Sequence, residues 1–222
     1  MIKSRVIKGI IFDCDGTLVD SEHLFNRALS LKLTDRGICL TADQLVARFR
    51  GVKFANVLKT LEREYSLTLN DAFVNDYREL VNAFFKKELS ACDGVVETLD
   101  QIQLPMAVAS NGPLTKMQIA MDVTGLSEYF QHHLYSAYDV NSWKPEPDLF
   151  LHAANQLELQ PSECLVVEDS EVGVDGAIAA NMKAVLYDPK GVHGDYYERL
   201  SEDSKSSVLR VTHFSGILTA LQ

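Results

Sequence analysis

The chain has 222 residues, 46% of them hydrophobic and 23% charged, the make-up of a folded globular protein with a substantial core. Its formal net charge of −10 leaves no basic surplus to neutralise a nucleic-acid backbone or an anionic membrane, which argues against those partners and leaves a small anionic substrate open where a few basic residues converge. No apolar run approaches membrane-spanning length and the N-terminal segment carries no small-residue cleavage site, which leads us to expect a cytoplasmic protein.

Residues 6–12 form a short, β-branched apolar run broken only by Lys8 and Gly9, and this predicts a buried strand. Asp13 and Asp15 stand at its C-terminal end, followed by Gly16 and Thr17. Side chains two apart on a strand project the same way, so two carboxylates emerge together. That arrangement is costly unless a cation lies between them, and Mg²⁺ prefers such oxygen ligands. Asp-x-Asp-Gly is also a turn sequence, and alone it does not distinguish a site from a turn. Cys14 points the opposite way, into packing. The four cysteines, Cys14, Cys39, Cys92 and Cys164, are too scattered for a zinc site or a disulfide framework. The six histidines show no metal-ligand spacing, and the adjacent His132 and His133 read as solvated loop residues.

From Ser21 to about Ser90 no convincing strand occurs. Apolar residues recur at helical spacing instead: Leu24, Ala28 and Leu31; Leu45 and Phe49; Val57, Leu58 and Leu61; Phe73, Tyr77, Leu80, Val81 and Phe84. Thr41 and Gln44 make a capping-box pair. We therefore expect residues 20–90 to be an inserted helical domain of their own. Within it RFRGVKF, residues 48–54, is a basic, glycine-containing break between helices.

Beyond Gly94 the pattern alternates. A helix over 95–103 leads to a buried strand at 106–110, and Pro113 suits the first turn of the next helix. A possible third strand, 134–139, precedes the loop NSWKPEP and a helix over 148–157. Residues 164–169, CLVVED, are the most strand-like run and end in two acids. A helix with Gly173 and Gly176 on a close-packing face follows, then a strand at 183–187, a possible strand at 208–214 and a closing helix at 216–221. Strands alternating with helices predict an α/β fold with a doubly wound parallel sheet, whose core domain is residues 1–19 and 91–222. In such sheets ligands bind beyond the carboxyl ends of the strands. That rule gathers Asp13 and Asp15, Ser110 and Asn111, Lys144, and Glu168 and Asp169 onto one edge.

These groups suit phosphoryl transfer. Asp13 is the expected nucleophile, forming an aspartyl-phosphate, and Asp15 the acid that protonates the leaving oxygen and then activates water. Lys144 and Ser110 offset the charge of the transferring group. Asp169 and Glu168 complete a metal shell with Asp13 and the Asp15 carbonyl. Singly, each has a plainer reading, as a cap, a turn or a solvated lysine. Their joint occurrence in order at successive strand ends favours one site.

The four segments DCDGT (residues 13–17), Ser110 with Asn111, Lys144, and Glu168 with Asp169 resemble the motif set of the haloacid dehalogenase superfamily. The resemblance spans nearly the whole chain. It implies a Rossmann-like core, a helical cap that closes over small substrates, Mg²⁺ as cofactor, and Asp13 and Asp15 in the roles just given. FRGVKF, SNGPLTKMQ and YDVNSWKPEPDLF further resemble the 6-phosphogluconate phosphatase branch. On that resemblance Arg50 and Lys53 would grip the sugar acid's carboxylate, and Asn111 and Lys116 would help to bind the phosphate. The substrate is then a small sugar phosphate. A sugar-phosphate mutase of the β-phosphoglucomutase kind shares the motifs. A signalling receiver would place its phosphorylated Asp on a middle strand without an insertion, and no glycine-rich loop follows a strand to suggest a nucleotide.

Overall fold

The structure, a computed structural model, describes residues 6–49, 52 and 54–221. The chain divides into two compact units, residues 20–90 and residues 1–19 with 91–222. The first is built of α1 (Glu22–Thr34), α2 (Ala42–Phe49), α3 (Phe54–Tyr65) and α4 (Asp71–Glu88). Asn70 accepts a hydrogen bond from the Phe73 amide at 3.1 Å and starts α4. Thr41 and Gln44 make the reciprocal capping pair that starts α2. The inner face is aromatic: Phe25 meets Phe85 at 5.4 Å between centroids, and Phe54 stacks on Tyr77 at 4.5 Å. Leu31, counted above in the apolar stripe of α1, is exposed; Leu29 and Leu33 are buried in its place, because α1 turns the 24/28/29/33 face inward.

The second unit is a parallel sheet of β1 (Gly9–Phe12), β2 (Met106–Ser110), β3 (Leu134–Ser136), β4 (Cys164–Glu168), β5 (Lys183–Tyr187) and β6 (Val208–Val211), ordered β3-β2-β1-β4-β5-β6. Every residue of β1, β2 and β4 is buried, as their largely apolar sequences require in a sheet covered on both faces. The connecting helices are α5 (Val95–Leu99), α6 (Leu114–Thr124), α7 (Ser127–Phe130), α8 (Ala137–Val140), α9 (Asp148–Gln156), α10 (Glu171–Ala179), α11 (Gly194–Arg199) and α12 (Glu202–Lys205). Alternation sorts the core. Ile11 and Val166 pack with Leu149, Phe150, Val174 and Ala177 from α9 and α10. Phe12 turns the other way, toward the rings of Phe130 and Phe214. Cys14 is fully buried.

Several boundaries differ from the sequence reading. β1 begins at Gly9, with Val6 exposed. Residues 134–139 are only half strand, because Ser136 accepts from the Tyr138 amide, closes a capping box with Asp139 and starts α8. The helix from Val95 stops at Leu99, and Pro113 caps α6 from outside its first turn. The tail strand ends at Val211, and Phe214–Leu221 is a 3-10 helix. No helix among the described residues is long and apolar enough to cross a membrane.

Candidate active site

The sheet order reverses at β1. The chain adds β2 and β3 on one side, then returns to lay β4 on the other, and the crevice beyond such a switch point is where doubly wound sheets bind ligands. Asp13 follows β1 directly, its amide donating to the Val167 carbonyl at 2.8 Å, and Glu168 and Asp169 lie at the end of the neighbouring β4. One carboxylate oxygen from each of Asp13, Glu168 and Asp169 falls within 4.8 Å of the others. Lys144 reaches this group from the loop before α9, with Nζ 2.5 Å from Asp13 Oδ1 and 2.6 Å from Glu168 Oε1. Its side chain is 2% exposed.

Asp13 and Glu168 thus share one buried ammonium, with the Asp169 carboxyl close beside them. Burial pushes the Asp13 carboxyl up to about 7; Lys144 opposes this, while Glu168 and Asp15 add to it. Burial, then the charges of Glu168 and Asp13, hold Asp169 well above the ordinary carboxylate range. Burial works to lower Lys144, but Asp13 and Glu168 outweigh it and keep the ammonium charged. The site is short of positive charge, and its donors are hard oxygens. A divalent cation such as Mg²⁺ fits that donor set.

Small residues make the cluster possible. Gly16 has φ +87°, and a Cβ there would lie 2.3 Å from Asp169 Oδ2. A Cβ on Gly173 would lie 1.8 Å from Glu168 Cδ. Thr17 donates to Asp169 Oδ1 at 3.2 Å. Ser170 donates to Glu168 Oε2 through its amide and its hydroxyl, at 3.0 and 2.7 Å, while accepting from the Gly173 amide to cap α10. Both Glu168 oxygens therefore carry donors, Lys144 on one and Ser170 on the other. The sequence reading missed Thr17 and Ser170; the available signal was their place beside the acids.

At the end of β2, Ser110 is buried and its hydroxyl accepts from the Gly112 amide at 3.0 Å. The Ser136 hydroxyl donates to the Gly112 carbonyl at 2.7 Å. Asn111 and Lys116, expected beside the phosphate, both have protein partners. Asn111 Oδ1 accepts from the Lys144 amide at 2.9 Å, and Lys116 Nζ pairs with Asp15 Oδ2. Asp15 accordingly offers its carboxylate to Lys116 and lies outside the Asp13, Glu168 and Asp169 cluster. Burial opposes the Lys116 charge, and the Asp15 carboxylate beside it raises it in balance. Arg50 and Lys53 lie outside the described residues.

The family model described as haloacid dehalogenase-like hydrolase matches residues 7–181. The 6-phosphogluconate phosphatase of Escherichia coli K12 is 37% identical over 182 residues, 82% of each chain. A haloacid dehalogenase-like protein of unknown function from Agrobacterium tumefaciens has a TM-score of 0.80 at 30% identity, covering 97% of both chains. A hydrolase of the same family from Deinococcus radiodurans, whose crystal structure holds phosphate and sodium, has a TM-score of 0.71 at 28% identity over 97% of this chain and 95% of that one.

Proposed function

The chain belongs to the haloacid dehalogenase-like hydrolases, and from that premise we propose that it is a cytoplasmic Mg²⁺-dependent phosphatase of small sugar phosphates, 6-phosphogluconate foremost. The observation that carries the reading is the buried Asp13, held by Lys144 beside Glu168 and Asp169 at the switch point of the sheet. The phosphatase relative at 37% identity supports the reaction class.

In the first step an Asp13 carboxylate oxygen attacks phosphorus. The bond to the sugar oxygen breaks, and Asp15 gives that oxygen a proton. In the second step Asp15 takes a proton from water as the water attacks the aspartyl-phosphate, and inorganic phosphate leaves with the Asp13 carboxylate restored. Lys144 stays charged throughout and offsets the phosphoryl charge, with Ser110 and neighbouring amides donating hydrogen bonds. Asp13, Asp169, Glu168 and the Asp15 main-chain carbonyl would hold Mg²⁺, which supplies the charge neutralisation that lets an anionic nucleophile meet an anionic phosphate. Asn111 fixes the Lys144 backbone, and on the resemblance of FRGVKF to the 6-phosphogluconate phosphatases Arg50 and Lys53 select a sugar acid through its carboxylate.

The test is phosphate release from 6-phosphogluconate, glucose 6-phosphate and β-glucose 1-phosphate, with Mg²⁺ and with EDTA. Metal-dependent release led by 6-phosphogluconate is expected. Release led by another sugar phosphate overturns the substrate and keeps the chemistry. Interconversion of sugar phosphates without stoichiometric phosphate would make the protein a mutase.

A further inference from the structure

Two lysines serve the carboxyl groups of this site. Lys144 is committed to Asp13 and Glu168, whereas Lys116, in the first turn of α6, crosses 101 positions of sequence to pair with Asp15 Oδ2. We propose that Lys116 is the positioning residue of Asp15, fixing the carboxyl that passes the proton in both steps; this rests on the phosphatase reading above.

The path of Lys116 is built for this contact. A Cβ on Gly112 would lie 2.6 Å from the ammonium nitrogen and 2.8 Å from Cε, so any larger residue there makes the end of Lys116 shift. Gly112 is itself pinned at both ends, its amide by the Ser110 hydroxyl and its carbonyl by the Ser136 hydroxyl. The lysine therefore runs over a ledge held by two strand-end serines. Its side chain is 13% exposed and that of Asp15 22%, which keeps the pair largely out of solvent screening.

Proton transfer needs heavy atoms within about 2.6–3.2 Å, and a short carboxyl in an Asp-Gly loop has rotamers that miss that range. A charge-assisted bond to Oδ2 limits that rotation. In the first step Asp15 loses its proton to the leaving sugar oxygen as the phosphorus–oxygen bond breaks. In the second it regains one from the attacking water as the phosphorus–Asp13 bond breaks. Each turnover thus returns the carboxyl to its starting state, held at the same oxygen.

The leaving group separates positioning of Asp15 from plain phosphate binding. A sugar alkoxide leaves poorly without a proton, whereas 4-nitrophenolate needs none. Comparing kcat/KM for the best-hydrolysed sugar phosphate and for 4-nitrophenyl phosphate reads the first step alone. Lys116→Met should lower the sugar phosphate value by about 10²-fold, the range of a lost general acid, and change 4-nitrophenyl phosphate little. Lys116→Arg should recover part of the loss. Gly112→Ala keeps the charge but crowds the ammonium, and any loss it causes should show the same selectivity. Equal losses on both substrates in Lys116→Met, or none on either, would overturn the positioning role. Failure of the unsubstituted enzyme to hydrolyse either substrate would overturn the phosphatase reading, and the inference with it.

Discussion

The crowding of carboxyl groups at the switch point makes a quantitative prediction about metal-free stability. Burial lifts Asp13 from the ordinary carboxylate value near 4 to about 7. A folded-state pKa above the unfolded one favours folding fully at low pH, and the advantage is lost as pH rises through the folded value. Three units at 1.36 kcal/mol each come to about 4 kcal/mol, lost between roughly pH 4 and pH 7. Part of that advantage is already gone by pH 5, so between pH 5 and pH 8 in EDTA the protein should lose roughly 2.5 kcal/mol, or about 5–10 °C of melting temperature at about 2–4 °C per kcal/mol for a chain of this size. Asp13→Asn removes the buried charge while Lys144 keeps Glu168 as a partner, so this variant should match the parent at pH 5 and melt higher at pH 8. Mg²⁺ should reverse the order: its stabilisation of the parent grows with pH, and in Asp13→Asn it largely disappears. Thermal melts of both proteins at pH 5, 6, 7 and 8, with EDTA and with Mg²⁺, make the measurement. Parallel pH profiles for parent and variant in EDTA would refute the reasoning.

Asp13→Asn should also abolish phosphate release while the fold persists, and substantial residual turnover would remove Asp13 as nucleophile. Gly173→Ala drives a methyl group into Glu168, so a loss of about 1–3 kcal/mol is expected in denaturant melts, together with weaker Mg²⁺ binding by calorimetry. Lys53→Ala should raise KM for 6-phosphogluconate more than for a neutral sugar phosphate, and equal effects would remove the carboxylate grip. Away from the site, burial works to raise Asp188, but Arg210 and the amides of His193 and Val192 outweigh it and hold the carboxyl below its usual value. Its contribution is present above the ordinary carboxylate pKa and fades as pH falls through the lowered one. Asp188→Asn should therefore cost stability at pH 7 and progressively less under strong acid, as followed by denaturant melts.

The period of the sequence determined much of this protein. Residues 106–110 and 183–187 are strands to the residue, because continuous buried runs bounded by turns have one low-energy solution in a two-sided sheet. The acids, the serine and Lys144 were legible because strand ends are visible in sequence and a parallel sheet collects them on one edge. Where a polar side chain competes locally with the strand pattern, the sequence reading failed: Ser136 turns half of a predicted strand into a helix by capping it. In α1, helical spacing alone admitted Leu31, and only packing against the neighbouring helix set which face was buried. The pairing of charges was likewise decided by tertiary structure. Nothing local distinguishes Lys116 from a lysine aimed at a ligand, and its partner lies 101 positions away. Which carboxylate each lysine serves depends on strand order and on the two glycines that leave room beneath Lys116 and Glu168, a matter of three-dimensional volume that no spacing along the chain encodes.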